Sequence, residues 1–191
     1  MTTVGPISVA NNADDGYRGS NGAFDSSAAE AYCGNIGGTT YDFWCTFRGI
    51  TATQAATIDS ATLLITPSNS ATGTMQWKVR AVDADDQGPP TSNSDYTGFT
   101  WTTASTTGSA TAGSSAAISV DVASIMQELV DRGGWAGDKV TFQFADNGSS
   151  TSTWTYPAPL ESASQEARLT VTYTASAGGG TSKNLLTLGV G

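Results

Sequence analysis

Two short stretches gather the carboxylates of this chain: Asp14 and Asp15 in NADDGYRG, and Asp83, Asp85 and Asp86 in DADDQG. A glycosidase needs one carboxylate on each side of the scissile bond. Adjacent acids in one turn project to different sides of a short loop and do not give that separation. A hard cation is the better use, because calcium takes several oxygens from a loop. DADDQG has acids at the first and third positions of an EF-hand-like loop and Gly88 at the sixth. However, Gln87 stands at the fifth, Pro89 and Pro90 follow, and Ser94 stands where a closing Glu belongs. That excludes an EF-hand. Two readings remain for Asp83, Asp85 and Asp86: an irregular structural calcium site, or turn caps that solvate a loop. Turn chemistry favours the second.

The chain has no histidine, which removes Ser-His-Asp and Cys-His catalysis and imidazole metal sites. Cys33 and Cys45 flank GNIGGTTYDFW, and Arg48 is the one cation near either in sequence. Their spacing suits two neighbouring strands. The readings are a bridge or a pair of small apolar core residues, and the second is favoured. GNIGGT opens no helix and lacks the Lys-Ser/Thr of a phosphate loop. Trp77, Trp101, Trp135 and Trp154 lie with Tyr96, Phe99 and Tyr156 in or beside polar loops. Their rings can close a core or stack on sugars, and burial is the commoner fate of large aromatics. Trp101, Trp154 and Tyr156 are the candidates for glycan binding.

These residues must be positioned by short strands. Of 191 residues 13% are charged, and Ser, Thr, Gly and Ala fill the spaces between brief apolar runs, a composition that suits an all-β domain with many turns. TYDFWCTFRGI alternates Phe43, Cys45 and Phe47 against Trp44, Thr46 and Arg48, the pattern of a half-buried strand. SATLLITPS, TMQWKVRAVDA, DKVTFQFAD and EARLTVTYTA are further strand candidates, and PISVA and SAAISV add two short ones. About eight strands imply an antiparallel β-sandwich or jelly roll. One segment departs from period two: in DVASIMQELVDRGGW, Val122, Ile125, Met126, Leu129 and Val130 fall at helical spacing. Asp121 is placed to cap this amphipathic helix and Gly133 to end it in the left-handed conformation. The polar stretch 83–117 is long for a compact domain. It is either a functional loop or carries irregular strands, and Phe99 and Trp101 suggest that its middle docks back on the body.

Lys and Arg number 8 against 17 Asp and Glu, a net charge of −9 with a pI near 4.1. The cations are scattered along the sequence, which disfavours nucleic acid and anionic membrane as partners. No run approaches the roughly 18 apolar residues of a membrane span. The opening MTTVGPISVANN shows no basic start followed by an apolar stretch, so synthesis in the cytoplasm without a secretory signal is expected. The chain ends GGGTSKNLLTLGVG. The sequence thus divides into a β-sandwich domain at 1–175 and, at 176–191, a flexible linker and apolar arm. Leu185, Leu186, Leu188 and Val190 gain nothing from water and are the candidate partner-docking residues. The alternative is an arm that folds back as an extra edge strand.

Taken in order, DDGYRGSNGAFD, YCGNIGGTTYDFWCTFRGI, IDSATLLITPS, WKVRAVDADD, PPTS, VASIMQELVDRGGWAGDKVTFQFADNGSS and ARLTVTYT resemble the jelly-roll modules of tailed-phage structural proteins. They are also similar to carbohydrate-binding or disaggregatase-related modules of microbial surface proteins. The resemblance spans roughly residues 5–174 and is most specific in the helix followed by GGWAGDKVTFQFADNGSS. It implies a non-enzymatic virion protein, above all a capsid decoration subunit at the virion surface, whose partners are the major capsid protein, another virion protein or further copies of itself. The other implied function is a glycan-binding or adhesive module, as a tail or fibre component. No catalytic residue and no cofactor follow from it.

Overall fold

The computed structural model describes residues 1–27, 31–70, 73–111, 116–150, 153–157 and 166–176, with residues 68–70 and 153–157 described by their backbone alone. Strands β1 (Thr2–Ser8), β13 (Arg168–Thr174), β6 (Thr57–Ile65) and β10 (Ile118–Asp121) form one antiparallel sheet in the order β1-β13-β6-β10. Its inward rows are apolar and its outward rows carry hydroxyls. Leu63, Leu169 and Val171 are fully buried, whereas Thr3, Thr172, Ser60 and Thr62 share the opposite face, where Thr3 Oγ1 lies 3.1 Å from Thr172 Oγ1. A second antiparallel sheet runs β7-β12-β4-β5-β11-β8-β9. Its strands are β7 (Pro67–Ser70), β12 (Thr153–Pro157), β4 (Cys33–Ile36), β5 (Thr39–Ile50), β11 (Asp138–Asp146), β8 (Thr74–Ala81) and β9 (Thr106–Thr111). A hairpin of β2 (Asp15–Gly19) and β3 (Phe24–Asp25) adds to it along β5. The chain is therefore an all-β sandwich.

Its core lies between the sheets and joins Phe43, Cys45, Phe47, Phe142 and Phe144 of the larger sheet to Leu63, Ile65, Leu169 and Val171 of the smaller. Each such side chain contributes on the order of 1.5–3 kcal/mol by leaving water. Helix α2 (Ala123–Val130) adds Ile125, Met126, Leu129 and Val130, all buried. The Gln127 carboxamide fastens it to β6, accepting from Ile58 N at 2.8 Å and donating to Ala56 O at 3.0 Å.

Asp121 serves the start of α2 as expected, its Oδ1 accepting from Ala123 N at 2.9 Å, with Val122 at the N-cap position itself. The end of the helix corrects the expectation. Gly133 is not left-handed: the helix ends at Asp131 in right-handed geometry, and the turn after it closes by Trp135 N donating to Arg132 O. A left-handed glycine was therefore not needed. The described residues also contain thirteen strands rather than about eight, and a second, six-residue helix, α1 (Asn93–Gly98). The added strands are short and interrupted by Gly, Asn, Asp, Ser or Pro, types whose own strand propensity is weak. A neighbouring ladder supplies their order, as β8 does for β9. The 83–117 stretch thus carries a helix and a strand, and its middle docks through the Val82–Trp101 bridge.

The largest departure concerns β5. All of Phe43 to Phe47 is buried, so Trp44 and Thr46 are covered as well as the core-facing residues. β11 shows the same continuous burial. Something therefore lies on the outer face of the larger sheet.

Candidate functional site

The cover is the segment from Asp83 to Ala104. At its start Val82 N donates to Thr141 O and Asp83 N to Thr100 O, and at its end Thr102 N donates to Ala81 O, all at 2.8–2.9 Å. The Glu128 carboxylate on α2 accepts both Thr103 N (2.8 Å) and Ala104 N (2.7 Å). Between these ties, Thr141 Oγ1 meets Gln87 O at 3.0 Å and Thr46 Oγ1 at 2.8 Å. Helix α1 begins where Ser92 Oγ accepts from Asp95 N, while Asp95 Oδ2 accepts from Thr91 N. This reciprocal arrangement satisfies donors that the helix start leaves open.

Helix α1 lowers Tyr96 onto the sheet, where Tyr96 is 3% exposed. Strand alternation aims Asp42 of β5, Gln143 of β11 and Arg80 of β8 at it, and the register sets Trp44, Gln143 and Arg80 side by side. Gln143 is the hub. Its Nε2 donates to Asp42 Oδ2 at 2.9 Å and to Tyr96 Oη at 2.6 Å, and its Oε1 accepts from Arg80 Nε at 2.5 Å. Tyr96 Oη donates to Asp42 Oδ2 at 3.2 Å, and Asp146 N to Asp42 Oδ1 at 3.3 Å. Burial raises the Asp42 pKa against the opposing pull of Asp146 N, the Tyr96 hydroxyl, Arg18 and Gln143. Burial, with the Asp42 charge second, pushes the Tyr96 phenol well above its ordinary value. Burial also lowers the Arg80 guanidinium, because charge is harder to hold away from water.

Aromatic rings frame this network. Trp44 stacks on Phe24 at 4.9 Å, and Tyr96, Phe99 and Trp101 meet edge-on or tilted at 5.5–6.3 Å. Arg80 Cζ sits 4.9 Å from the Trp101 ring centroid, a cation–π contact that fixes the guanidinium plane. Arg18 Nε reaches Asn93 Oδ1 at 3.3 Å from the far side. Chemically this is a rigid polar surface with cations at its rim. Its one carboxylate, Asp42, is engaged by three protein donors.

The sequence-predicted residues fall in several places. Asp83 and Asp85 both pair with Arg132, the latter at 2.6 Å, and Asp86 pairs with Lys139 Nζ at 3.0 Å. These contacts raise both cations' pKa values, through Asp85 first for Arg132 and Asp86 first for Lys139. A calcium ion on these carboxylates would have to displace a guanidinium and an ammonium. No group of three or more metal-ligating side chains occurs among the described residues. Asp14 is buried in a two-bond pair with Arg48, at 2.8 and 2.5 Å. Trp77, Trp135 and Tyr96 are buried, while Trp101 is half-buried at the rim. The side chains of Trp154 and Tyr156, and all of Leu185, Leu186, Leu188 and Val190, lie outside the described residues. Cys33 and Cys45 are free thiols in the core, both pushed well up by burial, and Cys33 Sγ donates to Phe144 O at 3.3 Å.

Asp42, Gln143, Arg80, Arg18 and Lys78 were not singled out by their sequence. Each is one polar residue alternating with apolar ones, the ordinary pattern of a solvent-facing row. No local signal announces that a segment beginning at residue 83 will cover part of that row. The comparisons with known proteins add no constraint: no protein-family model matches the chain, and no curated protein matches it.

Proposed function

We propose that this protein is a non-enzymatic virion structural subunit of the capsid-decoration type, a rigid jelly-roll sandwich that docks on a lattice protein through its C-terminal arm. The observation that carries the reading is how the carboxylates are used. Asp14, Asp83, Asp85 and Asp86 hold cations, and Asp42, Asp95, Asp121, Asp146 and Glu128 hold backbone N–H groups. Acids that tie loops to a framework suit a scaffold rather than acid–base chemistry, which needs a carboxylate free to exchange its proton with a substrate. The hydroxyl-rich outer face of the smaller sheet suits a subunit displayed to water. In this reading Leu185, Leu186, Leu188 and Val190 add apolar burial and a further strand at the contact with the major capsid protein. Many copies on one particle make a weak single contact effective.

The test uses the full chain and a chain ending at Ala177 as baits in lysate of cells producing the particle, with captured proteins identified by mass spectrometry. Arm-dependent capture of one lattice-forming protein is expected. Equal capture by both baits would overturn the arm.

One observation favours a second reading, a glycan-binding module: Trp101 stands half-buried at the rim of the outer face, with Arg80 over its ring and no ion-pair partner for Arg80 among the described residues. Here binding would survive removal of the arm and be lost in a folded Trp101→Ala variant.

A further inference from the structure

Seven of the eight Lys and Arg residues lie among the described residues, and they divide sharply. Arg48, Arg132, Lys139 and Arg168 each pair with a carboxylate. Arg18, Lys78 and Arg80 have no carboxylate within ion-pair distance among the described residues, although acids outnumber bases two to one in this chain. All three project from the same face of the larger sheet. On β8, Trp77 and Val79 enter the core, so Lys78 and Arg80 point outward. On β2, Tyr17 packs against the core, which turns Arg18 outward to Asn93.

Register places them on one face, with the donor-engaged Asp42 of β5 lying between Arg18 and β11. Arg18 pairs with Asp42, Lys78 with Ala145 on one side and Thr107 on the other, and Arg80 with Gln143. Lys78 and Arg80 are two residues apart on one strand, hence about 7 Å, and β2 lies three strand spacings from β8, hence about 14 Å. The small Ala145 neighbours Lys78 on β11, Trp101 stands beside Arg80, and Thr107 and Ser109 of β9, both exposed, put hydroxyls at the far rim. Arg80 is held in advance by Gln143 and Trp101, so its remaining N–H donors are presented with little conformational freedom to lose.

We propose that this face binds an acidic polysaccharide, one carboxylate lying between Lys78 and Arg80 and a second, further along the chain, meeting Arg18. The inference rests on the glycan-binding reading and names its ligand class. A guanidinium fork matches a carboxylate, and the hydroxyl rim matches sugar hydroxyls. Sparse charges suit a polymer whose acid groups are themselves widely spaced. Nucleic acid fits worse: its phosphates are denser than three cations can match.

The experiment is calorimetric titration of the full chain with a hexuronate octasaccharide, a neutral octasaccharide, a single-stranded octanucleotide and an octaglutamate peptide. Lys78→Gln and Arg18→Gln are titrated alongside. The Lys78 side chain makes no hydrogen bond or ion pair with any described residue, so its variant is expected to keep the wild-type melting temperature. The expected result is binding of the hexuronate alone, weakened at least tenfold by Lys78→Gln and again by Arg18→Gln, and falling as salt rises. Preference for the nucleotide or the peptide, no binding of the hexuronate, or binding indifferent to Lys78→Gln would each overturn the inference. Equal binding of the neutral octasaccharide, indifferent to both variants but lost in Trp101→Ala, would overturn it while leaving the glycan reading in place.

Discussion

Replacing Gln143 with Leu tests whether the outer face is held by its polar network. Gln143 is 2% exposed and makes three hydrogen bonds, two of them to the ionised groups Arg80 and Asp42 and one to the Tyr96 hydroxyl. Bonds to charged groups are worth ~1.5–3 kcal/mol each and a neutral one ~1, so the gross loss is about 4–7 kcal/mol. Leucine buries more apolar surface, and half-buried Arg80 and Asp42 can turn to water, which together offset about half. A net loss of ~2–3 kcal/mol remains, or roughly 4–12 °C in Tm for a domain of this size. The assay is urea unfolding monitored by tryptophan fluorescence, with calorimetry for Tm.

The pH dependence of this loss has a definite sign. Asp42's folded pKa lies above its ordinary 3.8, so the folded protein binds that proton more tightly than the unfolded chain. Its contribution to stability therefore grows as pH falls through the folded pKa and is complete below the unfolded value. Gln143 lowers the Asp42 pKa, so Gln143→Leu raises it further, and the variant gains more on acidification than the wild type. The deficit should narrow as pH falls from neutral toward 3.8. A loss below ~0.5 kcal/mol at pH 7, or a deficit that widens in acid, would refute the network.

Three further outcomes follow from local geometry. Gly108→Ala would place a methyl against the indole of Trp77, 2.5 Å from Cη2, so overpacking should cost ~2–3 kcal/mol in chemical denaturation, and an unchanged midpoint would show that β9 can shift. Cys33 and Cys45, buried and with raised pKa values, should react with a thiol reagent only as fast as the protein unfolds, and rapid labelling of the native protein at pH 7.5 would contradict their placement. Titration with millimolar calcium should leave Tm unmoved, because Arg132 and Lys139 already occupy Asp83, Asp85 and Asp86, whereas a rise would show that calcium displaces them.

The sequence by itself determined the class of fold. Period two in TLLI, VTFQF and LTVTYT sets alternate side chains on opposite faces, and burying one face of each strand demands a second layer, hence a sandwich. The helical spacing of Ile125, Met126, Leu129 and Val130 likewise marked α2, because that pattern is local and repeats. Tertiary structure alone decided the rest. Trp44 and Gln143 are buried because the segment from Asp83 to Ala104 crosses the sheet, and its path is fixed by Glu128, Arg132 and Thr141, between 24 and 54 residues away in sequence. β9 is a strand because β8 offers it a ladder. Cations scattered along the chain at 18, 78 and 80 meet on one face because β2 and β8 join one sheet. Periodicity is a property of neighbours along the chain. Which polar side chains converge depends on which strands are adjacent and what lies over them, and those are properties of the whole molecule.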